Sequence, residues 1–282
     1  FKRLFQIMIT AILGVFFMGV ADALWRPCIL IHGHIKVLLH RTLLTTVLLG
    51  LYFISSTPTQ QINIPMIGIA LLSGLIAGVG LYFLVKAFKT ETTTNVLFLN
   101  IFTLLISQSV SFILFKEPIV WKYYCIQIGL SIFTVICFNG FNFNLRKGIK
   151  YGLLASLCFG IAYPLAGIPI EKIGYQTTIF IQEAIILILF FCIGFYTKKT
   201  KIDLKIYYDV KIILLSLLSS IAVILFFYSY TVLQVYKVNL ISNFHPIGGM
   251  VIAIILFKEH LSRYQILGVI SSIIACVLIY II

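Results

Sequence analysis

Apolar runs of about twenty residues succeed one another along almost the whole chain. Each is long enough to cross roughly 30 Å of hydrocarbon as a helix rising about 1.5 Å per residue. Ten are predicted, at 5–24, 35–54, 65–85, 93–115 and 120–138, then at 149–168, 177–196, 212–232, 238–257 and 264–281. In hydrocarbon the backbone must satisfy its own polar groups, which leaves helices or closed barrels. Barrel strands would alternate over about ten residues, and these runs are unbroken for twice that length. The expected fold class is therefore an all-α integral membrane protein with ten transmembrane helices.

Composition closes off the soluble alternative. Hydrophobic residues make up 61% of the chain and charged residues only 10%, against about half and about a quarter in a soluble domain. The net charge of +13 would suggest nucleic acid in a soluble protein. Here the basic residues sit mostly between the apolar runs, where anionic headgroups attract them, so lipid and not nucleic acid is the expected partner. Cys28, Cys125, Cys137, Cys158, Cys192 and Cys276 are scattered without metal-ligand spacing and read as small buried hydrophobes. His32 and His34 flank Gly33 in an expected loop, too few ligands for a metal site. No cofactor or metal is implied. The run 5–24 is too long for a signal-peptide core and reads as the first membrane helix.

The chain repeats itself. Phe115-Lys116-Glu117 recurs as Phe257-Lys258-Glu259, 142 residues on, each after a long apolar run. The segment Gly19 to Leu24 aligns with Gly160 to Leu165 at an offset of 141, and Cys137 with Cys276 at 139. The expected halves are residues 1–140 and 141–282, five helices each. An odd number of spans makes the second copy enter the membrane from the opposite side. Such inverted repeats place a cavity between the halves, open to alternate sides as one half rocks against the other.

These features resemble the drug/metabolite transporter superfamily, specifically EamA-type carriers. The resemblance rests on Met18-Gly19 and Phe159-Gly160 in the first helix of each repeat, and on Phe244-His245-Pro246 as the break in the fourth helix of the second. Lys116-Glu117 and Lys258-Glu259 follow, then Gly129 and Gly268, with Arg26 and Arg41 where the family often carries basic residues. It departs at Met18, where an aromatic is usual, and at Leu104, where the first repeat would have its proline. The resemblance implies a ten-helix carrier in the cell (inner or plasma) membrane, and names no solute.

Ionisable residues within membrane helices cost about 2.5–3.5 kcal/mol at the centre and normally face a cavity or partner. Asp22, Arg41 and Glu183 stand out, the last two at equivalent positions 142 apart. Arg41 and Glu183 read either as a mutually neutralising pair between the repeats or, through Glu183, as a proton relay. Asp22, near Trp25, reads as a substrate or proton site, or as an interfacial partner of Arg26. Asn243 and His245 lie in the Pro-Gly-Gly break of the ninth run, where freed carbonyls and the imidazole would line the cavity. Asn100 and Ser242, equivalent by the repeat, would add hydrogen bonds from opposite walls. Tyr163-Pro164 would oppose Asp22, and Tyr228, in an aromatic cluster from Phe226 to Tyr230, would serve a membrane belt or stack on the solute. Gly74 and Gly78 read as a close-packing pair.

Function then reads as a secondary active transporter. Its cargo would be a small polar or amphipathic metabolite, such as an amino acid or a related compound, coupled to protons or a counter-solute. A flippase for a lipid-linked carrier is the alternative. A membrane-embedded enzyme lacks an H-E-x-x-H, G-x-S-x-G or P-loop signature to support it. Orientation has two warrants. Of the basic residues outside the bilayer core, six fall on the side of the termini and fourteen on the other, which puts the termini outside. The family resemblance puts them inside.

Overall fold

The computed structural model describes residues 2–56, 63–116, 146–197, 203–233 and 245–258 continuously, with isolated residues between 121 and 133, 238 and 242, and 263 and 270. Every regular element among them is helical: α1 (Lys2–His32), α2 (His34–Ser55), α3 (Ile64–Thr90), α4 (Thr93–Phe98) and α5 (Ile101–Phe115) in the first part of the chain. There follow α6 (Lys147–Ile173), α7 (Tyr175–Tyr196), a 3-10 turn (Leu204–Tyr208), α8 (Val210–Tyr230) and α9 (His245–Phe257). Among the described residues, seven segments are long and apolar enough to cross a membrane: Ile9–His32, His34–Ser55, Ile64–Thr90, Thr93–Phe115, Lys147–Ile173, Tyr175–Tyr196 and Val210–Tyr230. Large apolar side chains such as Leu51, Ile54, Ile188, Val210 and Ile255 stand exposed around them. An apolar surface so extensive is solvated by lipid. This is a membrane protein. The expected fifth and tenth runs lie largely outside the described residues.

Two expectations about the helices need correction. The first helix does not stop at Leu24. It runs through Trp25, Pro27 and Cys28 to His32, so His32 ends α1 and His34 begins α2 rather than both sitting in a loop. The join is one residue, Gly33, at φ +81°, a conformation closed to side chains with a Cβ. Gly174, 141 residues on, joins α6 to α7 at the same φ. The fourth run, in turn, is not continuous. It breaks between α4 and α5 at Leu99 and Asn100 without any proline. The Leu99 carbonyl accepts from the Phe102 N–H at 3.1 Å and, from α6, from Ser156 Oγ at 2.8 Å.

Packing joins early helices to late ones. The broadest contacts are α3 with α6, α1 with α8 and α9, α5 with α6, and α2 with α7. Gly74 and Gly78 let α3 press against Gln182, Ile185 and Ile186 of α7, where a Cβ at Gly74 would strike the backbone. Two apolar clusters result. One gathers Trp25, Leu38, Leu84, Phe88, Phe190 and Ile212, the other Val15, Leu49, Ile170, Ile179, Phe226 and Phe227. The cysteines are free where described, with Cys28 buried but Cys125 and Cys192 exposed, which corrects the expectation of uniform burial.

Candidate functional site

Between the two clusters lies a cavity of about 130 Å³. Trp25, Leu81, Leu84 and Ile186 close it on one side, and Val15, Ile179, Phe226 and Phe227 on the other. Its polar wall is drawn from α1, α2, α5, α6, α7, α8 and α9 and from the segments before α5 and α9.

Arg41 of α2 and Glu183 of α7 meet there. Arg41 Nη1 donates to Glu183 Oε1, and the guanidinium lies 5.9 Å from the Trp25 ring centre. Both side chains are buried. Thr46 Oγ1 donates to the Glu183 backbone oxygen at 3.3 Å, which ties α2 to α7 beside the pair. Two opposite charges at that depth cancel, and their shared hydrogen bond offsets part of the desolvation each suffers.

Asp22 and His245 form the second polar group. A side chain at Gly19 would run into the His245 carbonyl, and one at Gly249 into the Gly19 carbonyl, so α1 and the start of α9 touch backbone to backbone. One turn after Gly19, Asp22 Oδ2 lies 3.1 Å from His245 Nε2. The N–H direction misses the carboxylate, so this is a charge approach and not an aligned hydrogen bond. On the other ring nitrogen, Asn100 Nδ2 is 2.8 Å from Nδ1. With the amide donating, Nδ1 accepts and the single ring proton sits on Nε2, toward Asp22. Asn100 reaches this position because the break after α4 turns it inward.

The remaining expected residues divide. Trp25 and Tyr163 line the cavity, Tyr163 stacked on Phe159 and edge-on to Phe226. Ser242 lines it too, its hydroxyl turned back to the Val238 carbonyl at 3.1 Å. Tyr228 does not line it. Its ring packs against Tyr175 and its side chain is partly exposed, while its neighbours Phe226 and Phe227, one and two residues round the helix, face the cavity. Asn243 lies outside the described residues.

Sequence reasoning missed Gln182, Thr103, Ser107 and Ser219. Gln182 Nε2 donates to Ser73 Oγ at 2.6 Å, a buried bond between α7 and α3. Thr103 and Ser107 are buried in the cavity wall, and among the described residues neither hydroxyl meets a hydrogen-bond partner. Leaving such a group dry and unpaired costs about 1–3 kcal/mol.

One end of the helix assembly is clasped by charges. Lys36 Nζ meets Asp203 Oδ2 at 2.7 Å and His32 Nε2 meets Asp209 Oδ2 at 3.0 Å. The Asp203 N–H donates to His40 Nε2 and Tyr207 Oη donates to the His40 carbonyl. These bonds fasten the α1–α2 corner to the 3-10 turn before α8. Hydrogen bonds from Lys36 and from the Lys205 N–H hold the Asp203 carboxyl below its ordinary range. Burial works against ionisation of Asp209, but bonds from His32 and the Lys211 N–H outweigh it and the group also sits low. At the opposite end the contact is aromatic: Tyr52 Oη and Tyr175 Oη are 2.7 Å apart, and Phe53 stacks on Phe180.

Residues 146–281 match the model of the EamA-like transporter family. Among curated proteins no relative matches. One crystal structure of a protein is similar over 96% of this chain and 94% of its own, with a TM-score of 0.65 at 13% identity, a likeness of fold alone.

Proposed function

With residues 146–281 matching the model of the EamA-like transporter family, we propose that this chain is a secondary active transporter that moves a small polar metabolite, an amino acid or a related compound, by alternating access. The observation that carries the reading is the central polar cavity. Its ionisable groups come from both parts of the chain, Asp22 and Arg41 from one and Glu183 and His245 from the other. Ionisable groups gathered at mid-membrane around a cavity mark a solute or ion pathway.

The reading extends to ten helices in two inverted halves. Contacts pair as a twofold axis in the membrane plane requires: α1 with α8 mirrors α6 with α3, α1 with α9 mirrors α6 with α5, and α2 meets its own counterpart α7. Gly33 with Gly174, and Lys116 with Lys258, share their unusual positive φ at matching offsets. Rocking about that axis would open one end while closing the other. The charged clasp and the Tyr52–Tyr175 contact stand where the two gates would be. Coupling falls to Asp22 and His245, because Glu183 is already committed to Arg41. A cavity of about 130 Å³ suits a small solute better than a lipid-linked carrier.

The test is exchange in proteoliposomes. Purified protein should support uptake of at least one labelled solute from a panel of small amino compounds, stimulated by the same solute inside. Asp22→Asn should abolish it in vesicles containing equal amounts of protein. No exchange across the panel would overturn the reading.

A further inference from the structure

The cavity carries information about its cargo that the transport reading leaves open. We propose that Thr103 and Ser107 are specificity-determining residues, which select small amines bearing an uncharged hydroxyl or amide group. The proposal rests on the transporter reading of the same cavity.

Thr103 and Ser107 lie one turn apart on α5, hence on one face. Hydroxyls in apolar helices ordinarily turn back to a carbonyl one turn earlier. Thr42, Thr45, Ser216 and Ser220 do so here at 2.7–2.9 Å, and Ser109, on α5 itself, does so at 3.0 Å. Thr103 and Ser107 do not, although they are 7% and 1% exposed and line the cavity. Two unpartnered hydroxyls in the lining of a polar cavity are a matched pair of donors and acceptors for a neutral polar group. A charged group would find no counter-charge at them.

Charge counting assigns the other end of the cargo. Arg41 and Glu183 cancel, and Arg41 Nε, also unpaired, adds a donor without net charge. His245 is neutral while Asn100 donates to Nδ1. The Asp22 carboxylate is then the uncompensated charge among the described lining groups, and the rings of Trp25, Tyr163 and Phe226 line the same cavity. A carboxylate with aromatic faces nearby binds an ammonium group. Size completes the description. An engineered cavity of about 150 Å³ holds one benzene, so about 130 Å³ admits a molecule of about six heavy atoms.

The probes are 3-aminopropan-1-ol, butylamine of nearly equal shape, and propane-1,3-diol, with binding measured calorimetrically on the purified full chain in nanodiscs. The aminoalcohol should bind at least about ten-fold more tightly than butylamine, because a site built around hydroxyls rejects the analogue that leaves them unpaired. Thr103→Val with Ser107→Ala should abolish that ratio and leave butylamine affinity unchanged or improved, whereas Thr103→Ser should preserve it. Asp22→Asn should remove binding of both amines, and the diol should not bind. Equal binding of the two amines by the natural protein, or a ratio that survives the double variant, would overturn the proposal. Binding confined to anionic or neutral solutes would also overturn it while the transport reading stood. Absence of exchange for every solute in proteoliposomes would remove that reading as well.

Discussion

Removing one member of the Arg41–Glu183 pair should destabilise the protein far more than removing both. The two side chains are 8% and 6% exposed, and Arg41 Nη1 is hydrogen-bonded to Glu183 Oε1. Arg41→Met leaves a carboxylate, and Glu183→Leu a guanidinium, without a counter-charge at mid-membrane. A buried pair broken on one side costs about 3–5 kcal/mol, whereas apolar replacement of both partners is close to neutral. The double variant should therefore unfold within about 1 kcal/mol of the natural protein, with an interaction energy of at least about 3 kcal/mol in the cycle. The assay is reversible unfolding by denaturing detergent in mixed micelles, followed by circular dichroism. Single variants that each cost under about 1 kcal/mol and add in the double would be the behaviour of a solvated pair. They would refute the burial and the neutralisation together.

Three further outcomes follow from the geometry. Gly19→Ala places a methyl group against the His245 carbonyl, so it should separate α1 from α9 and lower solute affinity at least about ten-fold by calorimetry, while the apolar exterior keeps the protein in the membrane. Asp203 and Asp209 have folded pKa values below their unfolded values near about 3.9, so the clasp contributes fully above that pH and is lost as pH falls through the folded values. Without solute, spin labels across it should move apart as the pH falls through those values, and Asp203→Asn with Asp209→Asn should remove the acid transition. Ser156→Ala removes one of the two donors to the Leu99 carbonyl, which keeps the Phe102 N–H, and should cost about 0.5–1.5 kcal/mol in the same unfolding assay.

Why some of this was legible in the sequence and some not has physical reasons. Arg41 and Glu183 stand out because a charge inside an apolar run is costly, and only a partner or a cavity explains it. Asp22 and His245 stand out for the same reason, and the structure brings them together at the α1–α9 crossing. The end of α1 was misplaced because Arg26 and Pro27 look like a stop. A proline needs only its own missing N–H accommodated, however, and the helix continues to Gly33, where φ turns positive. The break before α5 carried no proline, and the hydroxyl on α6 that stabilises it, Ser156, is 57 residues away. Tyr228 faces away from the cavity, because about 100° per residue separates it from Phe227, and an all-aromatic stretch has no periodicity to show which ring turns inward. Thr103 and Ser107 were unreadable, since what distinguishes them from Thr42 or Ser216 is a bond they do not make.

The central claim, a cavity exposed to alternate sides by opposed motion of the two ends, is tested most directly by distances at both ends in one sample series. Spin-label pairs at Ile31 and Tyr208 on the clasped end, and at Ile54 and Thr231 on the other, sit at exposed positions. With a solute identified by exchange, the account expects one distance distribution to lengthen as the other shortens. Both pairs unchanged, or both moving in the same sense, would contradict it.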